Sequence, residues 1–405
     1  MKTLIKAGLV YPVLDKPLHG GCVSVSDGVI KAVGGADDFD ESLFDEVIDL
    51  ASHLLLPGFV NAHSHLRLSG AKNAINYHGS FTDWIRQVVE FNSRVDQEQR
   101  LSSIEHGIAM MMESGITAVA DLVWDQNEAL KVARSPVRSV VFIEVISPHA
   151  KDAGNSVDEI KGLAEYLAAK GVSVGLAPHA PYSVSGAAFE LLNEIARKNS
   201  WGLMTHVAET PEENEYLING TGDLKKLLIE RGFIHGESRS GTGKTPVALV
   251  DGYDPPPNFM AVHLNCLNDA DVNLLAKKGA APLFCPASSR WFGRKNVMPL
   301  EALMRAGLRP AIGTDSLASN SALSMLDELR CAAEYFPRIS RARLIEMATV
   351  NGADHLRLNC GAIQTGKWAD LIAFRRDEGT DPVDCVFNAR KTDFLMIAGK
   401  VYRKK

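Results

Sequence analysis

The chain has 405 residues, 46% of them hydrophobic and 23% charged, and 43 Lys and Arg against 49 Asp and Glu leave a net charge of −6. No basic run or arm stands out, which argues against a nucleic-acid partner. No stretch approaches the roughly 18 apolar residues of a membrane span. The opening MKTLIKAGLVYPVLD lacks the apolar core and small-residue cleavage site of a signal peptide. The six cysteines (Cys22, Cys266, Cys285, Cys331, Cys360 and Cys385) form no CxxC pair. A reduced, cytoplasmic protein without a disulfide framework is therefore expected.

The first 55 or so residues read as short strands and turns. LIKAGLVYPV, GCVSVSDGVIKAVG and EVIDLASHLLL carry β-branched residues punctuated by Gly and Asp. The middle of the chain alternates. Candidate strands are LLLPGFVNAHSH, ITAVADL, SVVFIEVI, VSVGLAPHA, GLMTHVA, FMAVHLN, AAPLFCP and RPAIGTD. Between them VDEIKGLAEYLAAKG, AAFELLNEIARKNS, DADVNLLAKKG and LEALMRAGL repeat apolar residues at three- and four-residue spacing, a helical pattern. Eight strands alternating with helices argue for a (β/α)8 barrel, with a doubly wound open sheet as the alternative. Toward the C-terminus ADLIAF, PVDCVFNA, TDFLMIAGK and VYRKK return to the texture of strands. Residues 1–55 and 366–405 are accordingly expected to build one small β domain around a barrel of residues 56–365.

Four histidines and an aspartate fall at the ends of these strands: His63 and His65, His206, His263 and Asp315. In a barrel of this kind functional side chains gather at the C-terminal ends of the strands. His63 and His65 stand at positions i and i+2, so on an extended strand both imidazoles face the same side. An isolated HxH is weak evidence; here three further candidates fall at matching positions. His206 reads as a third nitrogen ligand, Asp315 as an oxygen ligand, His263 as a proton handler beside them and Glu209 as a carboxylate next to substrate. A divalent metal held with an open position would turn water into a nucleophile near neutral pH.

PGFVNAHSHL, APHAPYS, THVAE, VHLN, CPAS, GTDSLAS and GAIQTGKWADLIAF, in this order, resemble the amidohydrolase superfamily, in its metal-dependent nucleoside and nucleobase deaminase branch. The resemblance spans nearly the whole chain. It implies a distorted (β/α)8 TIM barrel with a small β-sandwich from both chain ends. It also implies one divalent metal, zinc first with iron(II) or manganese as alternatives, held by His63, His65, His206 and Asp315. Asp315 would take a proton from the attacking water, His263 would orient that water, and Glu209 would pass a proton to a ring nitrogen. A single ion is favoured because the fourth strand ends in APHAPYS, without the lysine or glutamate that binuclear relatives place there.

CPASSRWFGRKNVMPLEALMRAGLRPAIGTDSLASN, HSHLRLSG and SFTDWIRQVVEFNSR resemble aminodeoxyfutalosine deaminases, which act on a modified adenosine in the alternative route to menaquinone. HAPYS resembles the corresponding segment of S-adenosylhomocysteine and methylthioadenosine deaminases and makes His179 a substrate contact. Triazine chloro- or aminohydrolysis is a further alternative. Arg67 stands where such enzymes often carry an acidic residue after HxHL. Glu90 is the nearest candidate for a carboxylate that binds ribose, and Arg290 and Arg86 are candidates for a carboxylate on the substrate. The expected partner is a small nucleoside, and the family implies a homodimer. GTGKT lacks the spacing of a phosphate loop, and the polar stretch 236–258 that contains it is long enough to serve as a lid. Cys285 reads as structural, because no base accompanies it. The remaining histidines, His235 among them, show no partner pattern.

Overall fold

The computed structural model describes residues 1–234, 241–377 and 379–404. Eight parallel strands follow one another around a barrel in sequence order. They are β1 (Phe59–Ser64), β2 (Ile116–Val123), β3 (Arg138–Val145), β4 (Val174–Pro178), β5 (Gly202–Val207), β6 (Met260–His263), β7 (Ala281–Phe284) and β8 (Ala311–Ile312). Both faces of β1 and β2 are buried along their whole length. That is why these segments read as near-continuous apolar runs: helices cover the outside of a parallel sheet and side chains fill its inside.

Closure of the barrel sets up the site. The backbone N–H groups of Thr314 and Asp315 donate to His63 O at 3.0 and 3.1 Å, and Ser64 and Asp315 form a parallel bridge. Gly313 makes this approach possible, since a Cβ there would stand 2.7 Å from His63 Cβ and 2.9 Å from His63 O. Asn61 clamps the same junction: its Nδ2 donates to Thr314 Oγ1 at 2.8 Å and its Oδ1 accepts from Thr314 N at 3.0 Å. His63 and Asp315, about 250 positions apart in sequence, are thus locked side by side by backbone hydrogen bonds.

The chain ends build a separate mixed sheet. Its central strand, Glu46–Pro57, pairs in parallel with Lys2–Val10 and antiparallel with Leu371–Arg375, so it stitches the two ends together. Ile5, Val23, Ile48, Leu371, Phe394 and Met396 share one buried cluster in that sheet. The same central strand runs through Gly58 directly into β1.

One predicted strand is a helix. Pro382–Asn388, within PVDCVFNA, is α-helical, with Asp381 capping it by accepting from Val383 N and Asp384 N and with Pro382 in its first turn. The apolar run looked extended, but an Asp-Pro start supplies both the cap and the preset φ of a helix N-terminus. The stretch before β6 contains a short helix, Pro246–Gly252, capped by Thr245. It hydrogen-bonds through Thr245 to Asp271 of the helix Asp269–Lys278. Residues 235–240, which include His235 and the start of the expected lid, lie outside the described residues.

Candidate active site

Three imidazoles converge at the mouth of the barrel. A ring nitrogen from each of His63, His65 and His206 lies within 4.8 Å of the others. His65 Nε2 and His206 Nε2 are 3.3 Å apart. His206 Nδ1 donates to His179 O at 2.9 Å, which fixes the tautomer and leaves Nε2 with a lone pair. His63 Nε2 is buried with no hydrogen-bond partner among the described residues. Asp315 Oδ1 stands 3.7 Å from both His63 Nε2 and His65 Nε2. Its other oxygen, Oδ2, accepts from Ser288 Oγ at 2.8 Å and Ser319 Oγ at 2.7 Å. The two hydroxyls thereby direct Oδ1 at the imidazoles.

The three imidazoles fit a divalent ion, with Asp315 3.7 Å from two of them and outside the three-histidine grouping. Ligand atoms about 2.0–2.1 Å from a tetrahedral zinc stand about 3.4 Å from one another, and the separations found here are 3.3 and 3.7 Å. Burial lowers the pKa of His65 and His206, which favours the neutral form that a metal ligand needs. Burial works to raise Asp315, but the imidazoles of His63, His263 and His65 beside it win and hold its carboxyl well below the usual range.

The supporting backbone is tightly turned. Ala208, His263, Leu264 and Asp315 all have positive φ, a conformation L residues rarely adopt and one that clusters at functional sites. Behind β1, Asp121 on β2 accepts from Ser64 Oγ and Leu66 N, both at 2.8 Å, and so pins the turn that carries His65. Burial pushes its carboxyl up to about 7.

Glu209 and His263 stand beside the ligand set. Thr210, not Glu209, caps the following helix Pro211–Asn219, which leaves the Glu209 carboxylate to line the cavity. Arg294 Nη2 donates to Glu209 Oε1 and Nη1 to Glu209 O, both at 2.9 Å. His263 Nε2 lies 3.9 Å from Glu209 Oε2. Burial raises the Glu209 pKa against the opposing pull of Arg294, and burial holds His263 neutral. Glu213 fixes the turn by accepting from Glu209 N at 2.7 Å.

His65, His179, His206, Glu209, His263 and Asp315 all line one cavity of about 530 Å³. Its lining includes Trp84, Ile85 and Val88 from the helix Phe81–Arg94 together with Leu227 and Phe233, a largely apolar stretch interrupted by Asn92, Ser93 and Arg231. Three other expected contacts are not brought there. Glu90 is exposed and paired with Arg94, Arg290 with Glu334, and Arg86 with Glu230 and Asp83. Each has its charge met on the surface, away from the cavity lining. Cys285 is buried in the core, where burial pushes its thiol well up.

The cavity also holds Trp124 and Glu144, which motif reading missed, beside Arg67, a departure legible in the sequence. Arg67 follows β1, Trp124 follows β2, and Glu144 lies on β3; all three line the cavity. Arg67 Nη2 donates to Glu144 Oε2 at 2.9 Å. A charged residue inside the apolar run SVVFIEVI is the signal that could have found Glu144. One oxygen of Glu144 and ring nitrogens of His179 and His206 form a second grouping within 4.8 Å. It is not a second ion site. The only uncommitted nitrogen of His206 already faces His65, and Arg67 already neutralises Glu144.

The amidohydrolase family profile matches residues 54–402. The chain belongs to the amidohydrolase family. A 5-methylthioadenosine/S-adenosylhomocysteine deaminase of Thermococcus sibiricus is 28% identical over 396 residues, covering 92% of this chain and 85% of the relative. An adenosine deaminase of Helicobacter pylori is 28% identical over 361 residues, covering 86% of each chain. The crystal structure of Helicobacter pylori aminofutalosine deaminase with methylthio-coformycin superposes with a TM-score of 0.87 at 25% identity, covering 98% of this chain and 99% of that one. This amidohydrolase is thus a hydrolase acting on carbon–nitrogen bonds, built on the barrel-plus-sheet fold of its family.

Proposed function

We propose that this amidohydrolase removes the amine of an adenine-type nucleoside, adding water and releasing ammonia, with zinc as its resident metal. The observation that carries the reading is the placement of Glu209. It is a buried carboxylate of raised pKa, beside both His263 and the His63–His65–His206–Asp315 set, in a cavity sized for a small molecule. The names of the relatives support the nucleoside.

A divalent metal held by that set supplies Lewis acidity and makes water nucleophilic near neutral pH. The protein's own groups carry the protons. Glu209, whose hold on a proton burial strengthens, passes a proton to the ring nitrogen next to the amine-bearing carbon. Asp315, its Oδ2 fixed by Ser288 and Ser319, takes a proton from the attacking water. His263, neutral and 3.9 Å from Glu209, relays a proton to the amine as the carbon–nitrogen bond breaks. Of the two protons of the water, the one taken by Asp315 reaches the amine through His263, and the one left on the hydroxyl of the ring carbon restores Glu209; the ring keeps the oxygen while ammonia leaves.

Within this class 6-amino-6-deoxyfutalosine is the first candidate substrate. The CPASSRWFGRKNVMPL and SFTDWIRQVVEFNSR segments support it, as does the similarity to the Helicobacter pylori aminofutalosine deaminase. The largely apolar stretch of the cavity lining suits a bulky substituent on the sugar. Methylthioadenosine and S-adenosylhomocysteine form the second reading, favoured by relatives matched along 92% of the chain. The test is ammonia release from a panel of aminodeoxyfutalosine, methylthioadenosine, S-adenosylhomocysteine, adenosine, guanine and cytosine. Turnover of the adenine nucleosides over the free bases is expected. Turnover of guanine or cytosine alone would overturn the reading.

A further inference from the structure

The Arg67–Trp124–Glu144 cluster has no task in the proton transfers above, yet it occupies one wall of the cavity. The Arg67 and Glu144 side chains are only 4% and 3% exposed. Arg67 Nη1 donates to Leu122 O at 3.2 Å, and its guanidinium lies 3.7 Å over the Trp124 ring. Both Arg67 Nη2 and Trp124 Nε1 donate to the same carboxylate oxygen, Glu144 Oε2. Glu144 Oε1 receives no hydrogen bond from the described residues, nor is it sealed from the cavity that Glu144 lines. A buried carboxylate with two donors on one oxygen and none on the other has an unmet acceptor.

His179 supplies a second acceptor beside it. One of its ring nitrogens lies within 4.8 Å of a Glu144 oxygen. Ser183 Oγ stands 2.6 Å from His179 Nδ1 and 3.2 Å from Ala180 O. With the hydroxyl proton on Ala180 O, Nδ1 carries the imidazole proton and Nε2 is left as an acceptor. Two acceptors with no donor between them call for a ligand that presents two donors. Along its ring edge away from the amine, an adenine offers only acceptor nitrogens. The sugar offers two hydroxyls on neighbouring carbons.

The geometry points to Glu144 as a specificity-determining contact that, together with His179, accepts hydrogen bonds from the ribose 2′- and 3′-hydroxyls. Arg67 and Trp124 act on it as positioning residues. This rests on the nucleoside reading above. It moves the ribose-recognition role from exposed Glu90 to a carboxylate on β3.

The test uses the zinc-loaded full-length protein with adenosine, 2′-deoxyadenosine and 3′-deoxyadenosine. Ammonia release is measured for each, together with each compound's inhibition of the fastest panel substrate. Wild type is expected to prefer adenosine by about tenfold or more over each deoxy form, since a site built to bond a hydroxyl rejects the analogue lacking it. Glu144→Ala should lose that preference by weakening on adenosine alone, while retaining its metal. Equal handling of the three compounds by wild type overturns the inference, and needs no variant to fold. Loss of bound metal from a folded Glu144→Gln protein also overturns it, because Glu144 would then be a ligand. If no nucleoside of the panel is turned over or bound, the proposed function falls and this inference with it.

Discussion

Two serine hydroxyls decide which oxygen of Asp315 faces the imidazoles. Ser288→Ala and Ser319→Ala are each expected to weaken metal binding by about 10–100-fold, the usual effect of removing a group that orients a ligand. Competition with a chromogenic chelator measures this, and an unchanged affinity in both variants would show that Oδ1 needs no such anchor. Glu209→Gln keeps the shape and the Arg294 contact but cannot supply the proton. Its turnover should fall by about 10²–10⁴-fold with metal content and thermal midpoint unchanged, and His263→Ala should fall in the same direction. Near-wild-type turnover in either variant removes that residue from the proton route. His63, His65, His206, His263 and Asp315 were legible in the sequence because each ends an apolar strand, and strand ends share one mouth. Glu144 and Arg294 were not, because their charges make sense only beside partners 77 and 85 positions away. Glu90 and Arg290 misled for the converse reason: nothing in the sequence shows that each charge is met on the surface by Arg94 and Glu334.

At the level of elements, the junction of β1 and β8 is where fold and site meet. Gly313→Ala would put a methyl group 2.7 Å from His63 Cβ. Strand β8 must then move off β1, taking Asp315 with it. A loss of about 1–3 kcal/mol, the range for overpacking a tight core, is expected, together with weaker metal retention. Thermal unfolding and metal analysis of the same sample check both effects. A destabilised variant that holds metal normally would separate barrel closure from ligand placement. The helix Pro382–Asn388 offers a simpler test. Removing its cap with Asp381→Ala should cost about 1 kcal/mol and leave activity untouched, as read by denaturant unfolding and ammonia release. All eight barrel strands were legible, because burial on both faces enforces continuous apolar sequence. The strand predicted over PVDCVFNA failed because a short apolar run carries no period of its own; its Asp-Pro start was the signal that decided.

For the whole molecule, the proposed ligands come from β1 and the turn after it, β5 and the turn after β8, so one bound ion would tie together elements from across the barrel. An ion that binds only the folded state stabilises it by about 2.7 kcal/mol at a free concentration 100 times its dissociation constant. Stripping the metal should therefore lower the thermal midpoint, and zinc in excess should restore it. A midpoint indifferent to chelator would mean that no such link exists. The described residues include no helix long and apolar enough to cross a membrane, and the proposed chemistry lies in one cavity. The most direct test of that chemistry is a titration of the metal-free protein with zinc, following ammonia release from the best adenine nucleoside. Activity should rise linearly and level off at one equivalent, the ion held by His63, His65, His206 and Asp315. A plateau at two equivalents, or full activity in the metal-free protein, would contradict the single four-ligand site.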